Sequence, residues 1–292
     1  MRLFGDPVDL QGICNSYHDE GAMGPPRELI DEIMRYIDLQ TLESCSLTSK
    51  AFYSAARPLI HRQLVLGTGS YFHVPCDPIL DQANVPHAFY LSATEKLGLL
   101  RYGYVQELYL DLTYGEPEEI LQLKQLQALK TVHTLTIRLL DLHKVLPIFD
   151  RCFSQFVPTL QSLSLKHIRS ENGHGLRELI CRFPHLDDLV IIGCGLAVVP
   201  PGSKGPRPQQ PLPFRGRLVL DGFGSLVQSL LDFPGGIHFH TIRACSHLKD
   251  LAKLLVACLP TLEVLTIRCF DDGKPSTLTL KHRSTEGSPA DG

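Results

Sequence analysis

Apolar residues recur in one short phrase along the second half of the chain. The phrase has the form L-x-x-L-x-L and first occurs at Val105-Gln-Glu-Leu108-Tyr-Leu110. Alternating apolar and polar positions predict a short β-strand that buries one face. Further copies have their second apolar anchor at Leu135, Leu163, Leu189, Leu218, His240 and Leu265. The pattern therefore predicts seven strands, of which the sixth, over residues 237–242, has a histidine at the anchor.

The spacing of the phrases indicates a repeat. Successive second anchors lie 22 to 29 residues apart, and a leucine-rich repeat has a period of roughly 20–29 residues. Helical periodicity fills the intervals at 117–130, 146–156, 176–183, 226–233 and 248–259. One strand–helix unit cannot bury its own apolar side, so neighbouring units must stack. We predict an α/β repeat fold over residues 105–283: a leucine-rich-repeat-like solenoid with parallel strands on the concave side and helices outside.

Several segments interrupt this pattern. Residues 200–213 are rich in proline and predict a loop that protrudes from the solenoid. We interpret residues 67–104 as a junction, and residues 1–24 and 284–292 as flexible tails. Leu278-Thr-Leu280 is either a final strand or one arm of a hairpin, so the pattern allows six to eight repeats.

Residues 25–66 have a different, helical pattern. Leu29, Ile33 and Ile37 follow one another at intervals of four, which predicts a helix with a wide apolar stripe. Two further apolar groups, at 42–47 and 52–60, predict a second and a third short helix. A helical unit of about forty residues buries too little surface to be stable alone. Either it packs on the rest of the chain, or it keeps an apolar face for another protein.

This helical segment resembles the F-box. The matching residues are Pro26, Glu28, Leu29, Ile33, Tyr36-Ile37-Asp38, Leu42, Cys45-Ser46-Leu47, Ser49-Lys50, Phe52 and Ala56-Arg57-Pro58-Leu59. The segment departs from the family phrase at Pro25, where leucine is usual, and at Thr48, Lys50 and Phe52, which replace valine, arginine and tryptophan. The three-helix F-box is expected over residues 25–66.

The resemblance implies a function. F-box proteins with leucine-rich repeats are substrate-recognition subunits of SCF-type ubiquitin ligases, in which the F-box docks on a Skp adaptor that leads to a cullin. By resemblance, the residues that contact the adaptor or support that contact are Pro26, Leu29, Ile30, Ile33, Leu42, Leu47 and Phe52. Most could instead pack inside the helical unit; Pro26 and Leu29 are favoured as contacts. The alternative is a repeat-based interaction module whose degenerate F-box takes no part in ubiquitination.

Composition and charge bear on the possible partners and on the cellular location. A net charge of −3 and a pI near 6.5 give no reason to expect nucleic acid or an anionic membrane as a partner. There is no signal-peptide pattern and no apolar run of the roughly 20 residues that a membrane helix needs. The nine cysteines include no CxxC pair, so we expect reduced thiols and a cytoplasmic or nuclear location.

The sequence also lacks the phrases of common enzymes. HExxH, G-x-S-x-G, the Walker A phrase and GxGxxG are all absent. His238 and His240 could form a metal pair, but a partly buried histidine at a strand anchor is the simpler interpretation. We therefore predict a non-catalytic adaptor without metal or cofactor.

The strand face suggests where an unknown protein substrate would bind. The residue after each last anchor should point away from the helices, which gives the row Asp111, Arg138, Lys166, Ile192, Asp221, Arg243 and Arg268. Its basic members, Arg138, Lys166, Arg243 and Arg268, are candidate contacts for an acidic or phosphorylated segment. The other interpretation is ordinary solvated strand charges.

Overall fold

A computed structural model describes residues 26–67, 103–111, 127, 129–138, 141–170, 173–196, 215–222, 224–231, 237–245, 248–271 and 274–281. The chain divides into two compact units, with the boundary between Gln63 and Leu64. The tails expected at 1–24 and 284–292 and the loop at 200–213 lie outside the described residues. So do most of the junction at 67–104 and of the helix expected at 117–130.

The first unit consists of three short helices: α1 (Arg27–Met34), α2 (Leu39–Ser46) and α3 (Lys50–Ile60). Two caps fix the turns between them. The Asp38 carboxylate accepts a hydrogen bond from the Thr41 amide at 3.0 Å, and the Ser49 hydroxyl accepts one from the Phe52 amide at 3.2 Å. These are the side-chain types that stabilise helix N-termini best. The small core of the unit contains Ile30, Met34, Leu42, Ala55 and Ala56.

The second unit is built on a ten-stranded sheet. Its strands are β1 (Gln63–Gly67), β2 (Glu107–Asp111), β3 (Thr134–Arg138), β4 (Ser162–Lys166), β5 (Arg169–Ser170), β6 (Asp188–Leu196), β7 (Arg217–Gly222), β8 (Thr241–Cys245), β9 (Val264–Asp271) and β10 (Lys274–Lys281). From β2 to β9, apart from the short β5 beside β6, the strands are parallel and lie side by side in chain order. β10 returns antiparallel to β9, so the segment at 278–280 is a hairpin arm.

Four described helices accompany this sheet: α4 (Leu142–Phe153), α5 (Gly173–Cys181), α6 (Gly224–Leu231) and α7 (Leu248–Cys258). Each contacts the next along the chain. Within α4 and the turn that follows it, Phe149, Phe153 and Phe156 are fully buried, and the rings of Phe149 and Phe153 stack at 4.7 Å. Phe183 meets Phe149 edge-on at 5.6 Å. None of the described helices is long and apolar enough to cross a bilayer.

Two rows of apolar side chains run across the sheet and form its core. Paired residues in neighbouring strands place Leu108, Leu135, Leu163, Leu189, Leu218, Ile242 and Leu265 in the first row. The second row contains Leu110, Ile137, Leu165, Ile191, Leu220, Ala244 and Ile267. All of these residues are buried. The strand prediction is thus confirmed for the six phrases anchored on leucine.

The sixth strand corrects the sequence interpretation by two residues. Leu218 and Leu265 both pair with Ile242, and not with His240, which precedes the strand and is partly exposed. Because strand alternation has a period of two, a shift of two residues keeps the same side chains inward. The last anchor of this strand is Ala244. Because alanine is small and does not match the L-x-x-L-x-L pattern, the sequence did not indicate this register.

The corrected register also changes the outward row. Cys245 pairs with Asp221 and Arg268, and therefore occupies the place predicted for Arg243. Arg243 pairs with Val219 and Thr266. It lies two residues before Cys245 and therefore points to the same outward face. Arg138, Lys166 and Arg268 keep their predicted places in the row.

A regular hydrogen-bond pattern marks the start of the strands. The Gln106 carbonyl accepts bonds from the amides of both His133 and Thr134. The carbonyls of His133, Gln161, Gly216 and His240 each accept two bonds in the same way, at 2.8–3.3 Å. His240 therefore has the same backbone role as His133, which agrees with the corrected register.

Candidate functional site

The first helix is apolar on two sides, only one of which is buried. Ile30 and Met34 point into the core of the helical unit. Leu29 and Ile33 lie roughly 100° further around the helix and are 51% and 48% exposed. Tyr36, in the turn after α1, continues their spacing and is 82% exposed. We call Leu29, Ile33 and Tyr36 the exposed α1 face.

The structure divides the predicted adaptor-binding residues into two groups. Pro26, Leu29, Ile33 and Leu47 are exposed, and Leu47, which caps the end of α2, reaches 78%. Ile30 and Leu42 are buried, and Phe52 is half-buried against the same core. The first group is available to a partner, whereas the second supports the helices that present it.

Sequence reasoning missed Tyr36 as a possible contact. Its hydroxyl donates to Glu32 Oε1 at 3.1 Å, and Arg35 bonds the other carboxylate oxygen of Glu32 at 3.0 Å. An anchored aromatic side chain at the edge of an apolar face is typical of protein interfaces. The signal that could have found it is the run of positions 29, 33 and 36, which lie on one side of a helix.

The strand face of the second unit contains a cluster of charged groups. Arg138 and Lys166 occupy neighbouring places in the outward row and are only 6% and 3% exposed. Lys166 Nζ lies 5.9 Å from the centre of the Tyr109 ring, within the range of a cation–π contact. Their burial contradicts the alternative interpretation of these two residues as ordinary solvated strand charges. Of the four predicted basic contacts, Arg243 and Arg268 are partly exposed, but Nε and Nη1 of Arg268 are buried.

His167 and Asp221 add titratable groups to this cluster. Burial lowers the pKa of the His167 imidazole, and the nearby charges of Arg138 and Lys166 lower it further. Burial raises the pKa of the Asp221 carboxyl, which the proximity of His167 partly offsets. The cluster thus favours a neutral imidazole in the folded protein.

The backbone at His167 has a left-handed conformation with φ of 55°. Its amide donates to the Ile192 carbonyl at 2.7 Å. The imidazole lies against Gly193, where a Cβ would come within 2.6 Å of Nδ1. Gly193 is therefore needed for the place that the ring occupies.

The lowered pKa of His167 predicts a dependence of stability on pH. An unfolded chain protonates this histidine near pH 6.5, whereas the folded protein resists protonation, so acid favours unfolding. The free energy of unfolding is therefore unaffected by this histidine above the unfolded pKa. It decreases as the pH falls from that value towards the lower pKa of the folded state. Asparagine tolerates a left-handed backbone and does not titrate in this range. The His167→Asn variant should therefore show a smaller fall in Tm than wild type between about pH 7.5 and 5.5. Thermal melts across that range measure this, and parallel pH profiles for variant and wild type would contradict it.

A polar groove of about 670 Å³ follows the starts of the strands. Its lining includes His133, Gln161, Asp187, Arg215 and His240. Among the residues that the structure describes, no three His, Cys, Asp or Glu side chains converge as a metal site. The lining side chains can donate and accept hydrogen bonds.

The described thiols are buried or half-buried. Free cysteines occur at Cys45, Cys152, Cys181, Cys194, Cys245 and Cys258. Burial raises the pKa of both Cys181 and Cys194 to about 11. These two thiols are therefore protonated at neutral pH, and are poor nucleophiles.

The helical unit is a small three-helix module with capped turns and exposed apolar side chains. The family model of the F-box domain matches residues 26–61. The chain thus contains an F-box domain, and F-box domains in general bind Skp adaptors of SCF-type ubiquitin ligases. A comparison with curated proteins finds no match to the chain.

Proposed function

We propose that this protein is a non-catalytic substrate receptor of an SCF-type ubiquitin ligase. Its F-box would dock the Skp adaptor, and through it a cullin, while the second unit would hold a target protein. The observation that carries the proposal is the exposure of Leu29, Ile33 and Leu47 within a segment that matches the F-box model. Burying a large apolar side chain contributes about 1.5–3 kcal/mol, so three such residues can supply much of a docking free energy.

The departures from the family phrase are compatible with this role. Thr48 is exposed, and its hydroxyl donates to the Cys45 carbonyl at 2.7 Å, which closes the end of α2. Phe52 packs against the core of the helical unit, as a larger aromatic residue would. Pro25 lies outside the described residues. Thr48 and Phe52 therefore favour a working F-box over a degenerate one that serves only in a repeat-based interaction module.

We further propose that the second unit is a leucine-rich-repeat-like solenoid that binds its target on the strand face. Support comes from the strand spacing, with first-row anchors 23 to 29 residues apart, and from the chain-order parallel sheet. Of the predicted basic contacts on this face, Arg243 is partly exposed, whereas Arg268 has Nε and Nη1 buried. The guanidinium group of Arg243 would suit an acidic or phosphorylated segment of the target, since such groups bind anions in a fork.

Adaptor capture tests the proposed function. The tagged intact chain should co-purify the Skp adaptor. The Leu29→Asp/Ile33→Asp variant should recover less than about a tenth as much, because docking would have to strip water from the charge of each aspartate. Both side chains are about half exposed, so folding should survive, as helical circular dichroism would verify. Val256→Asp, at a residue 73% exposed on α7, is the matched control. Equal recovery with all three chains would reject the docking role of α1.

A further inference from the structure

The two apolar rows of the sheet end at an open edge. β10 continues both rows, because Leu280 pairs with Leu265 and Leu278 pairs with Ile267. Leu265 and Ile267 are 8% and 7% exposed, whereas Leu280 and Leu278 are 53% and 54% exposed. The apolar side chains of the two rows are thus buried up to β9 and exposed on β10.

The two ends of the sheet differ. At the other end, Leu64 on β1 is buried in the same core. Stacked repeats normally need a terminal element with a polar outer face to remain in solution. β10 instead presents two leucines on the core side of the sheet.

The backbone of β10 is also available for pairing. Among the described strands, β10 pairs with β9 alone, and every side chain from 277 to 281 is exposed. An edge strand of eight residues presents unpaired amide and carbonyl groups to any strand that approaches it. Lys274 and Lys281 stand at its two ends, and its middle carries no charge.

The sequence of β10 suits a second copy of the same strand. If two β10 strands pair antiparallel with Thr279 opposite Thr279 of the other copy, Leu278 of each copy lies opposite Leu280 of the other. Lys281 then lies opposite Thr277, so no lysine faces a lysine. A full-length overlap would set Lys274 against Lys281, and like charges directly opposite are destabilising. It would also shift the pairing by an odd number of residues and place the leucines of the two copies on opposite faces.

We propose that β10 is a homodimerisation strand that joins the sheets of two copies around a two-fold axis at Thr279. Both apolar rows would then continue from one copy into the next, and the four leucines would bury the sides that they turn towards one another. A contact of one strand from each copy lies at the small end of protein interfaces, so the dimer should form reversibly with concentration. It would present two F-box domains and two strand faces in one particle, which allows bivalent capture of a target.

Sedimentation equilibrium of the intact chain tests the dimer. The mass should rise from 32.5 kDa towards twice that value with concentration. Leu278→Lys/Leu280→Lys should weaken self-association by at least about tenfold, because it places charges in the apolar contact. Val256→Lys, another exposed apolar position, should leave it unchanged. A wild type that stays monomeric up to about 100 μM, well above ordinary interface affinities, would overturn the proposal, as would a double variant that dimerises equally well.

Site-directed cross-linking tests the register without disturbing the leucines. A short bis-maleimide should join Thr279→Cys into a covalent dimer, since the two positions meet on the axis. Thr277→Cys should give no more dimer than the native cysteines of the wild type give, because its neighbour across the axis is Lys281. Equal yields from the two variants would reject the proposed pairing. If β10 instead captures an extended segment of a different protein, the isolated chain stays monomeric and neither variant cross-links.

Discussion

Replacing Ile242 with alanine is expected to lower the free energy of unfolding of the sheet unit by about 2–5 kcal/mol. The side chain is fully buried between Leu218 and Leu265, and truncation would leave a cavity in the first apolar row. His240→Ala should change the same free energy by less than about 1 kcal/mol, since this side chain is partly exposed. Urea denaturation of the three proteins gives the comparison.

The pair of variants decides between two registers of the sixth strand. The sequence phrase places His240 at the anchor, whereas the sheet places Ile242 there. If His240→Ala destabilised the protein more than Ile242→Ala does, the register of β8 described above would be wrong. Equal m-values should accompany the shift in midpoint, because neither substitution alters how much surface unfolding exposes.

The second large effect is expected at Phe153. Phe153→Ala should destabilise the sheet unit by about 3–5 kcal/mol. The ring is fully buried, stacks on Phe149 at 4.7 Å and lies 6.0 Å from Phe156. Phe153→Leu keeps most of the apolar volume and should cost less.

An exposed leucine provides the control for this prediction. Leu259 follows α7 and is 69% exposed, so Leu259→Ala should stay within about 0.5 kcal/mol of wild type. The rate at which the buried thiol of Cys152 is labelled reports opening beside Phe153. Slow labelling in Phe153→Ala, equal to that of wild type, would show that the aromatic cluster does not hold this region closed.

The strands could be predicted because their cause is local. A leucine at the second anchor must point inward if the neighbouring strand is to pack, and this requirement leaves a period in the sequence. Leu108 and Leu163, for example, were both placed correctly by that period. The pattern failed only where Ala244 filled an anchor, since a small residue gives little contrast between buried and exposed positions.

The candidate site was less predictable, because it depends on which neighbours a side chain meets. The apolar stripe of α1 includes both Ile30 and Ile33, and the sequence alone does not say which side faces the core. The choice follows from the contact of α1 with α3, whose small Ala55 and Ala56 share a cluster with Ile30. The burial of Arg138 and Lys166 was equally hidden, since alternation predicts the direction of a side chain and not what covers it.

Because strand order follows chain order, each pairing joins parts of the chain that are already close in sequence. The segment 200–213 lies between β6 and β7, yet Leu189 still pairs directly with Leu218. Lengthening such a connection adds little loop-closure entropy and leaves the pairing intact. The architecture is therefore modular: new recognition loops could be inserted between strands, one at a time, without redesign of the sheet that holds them.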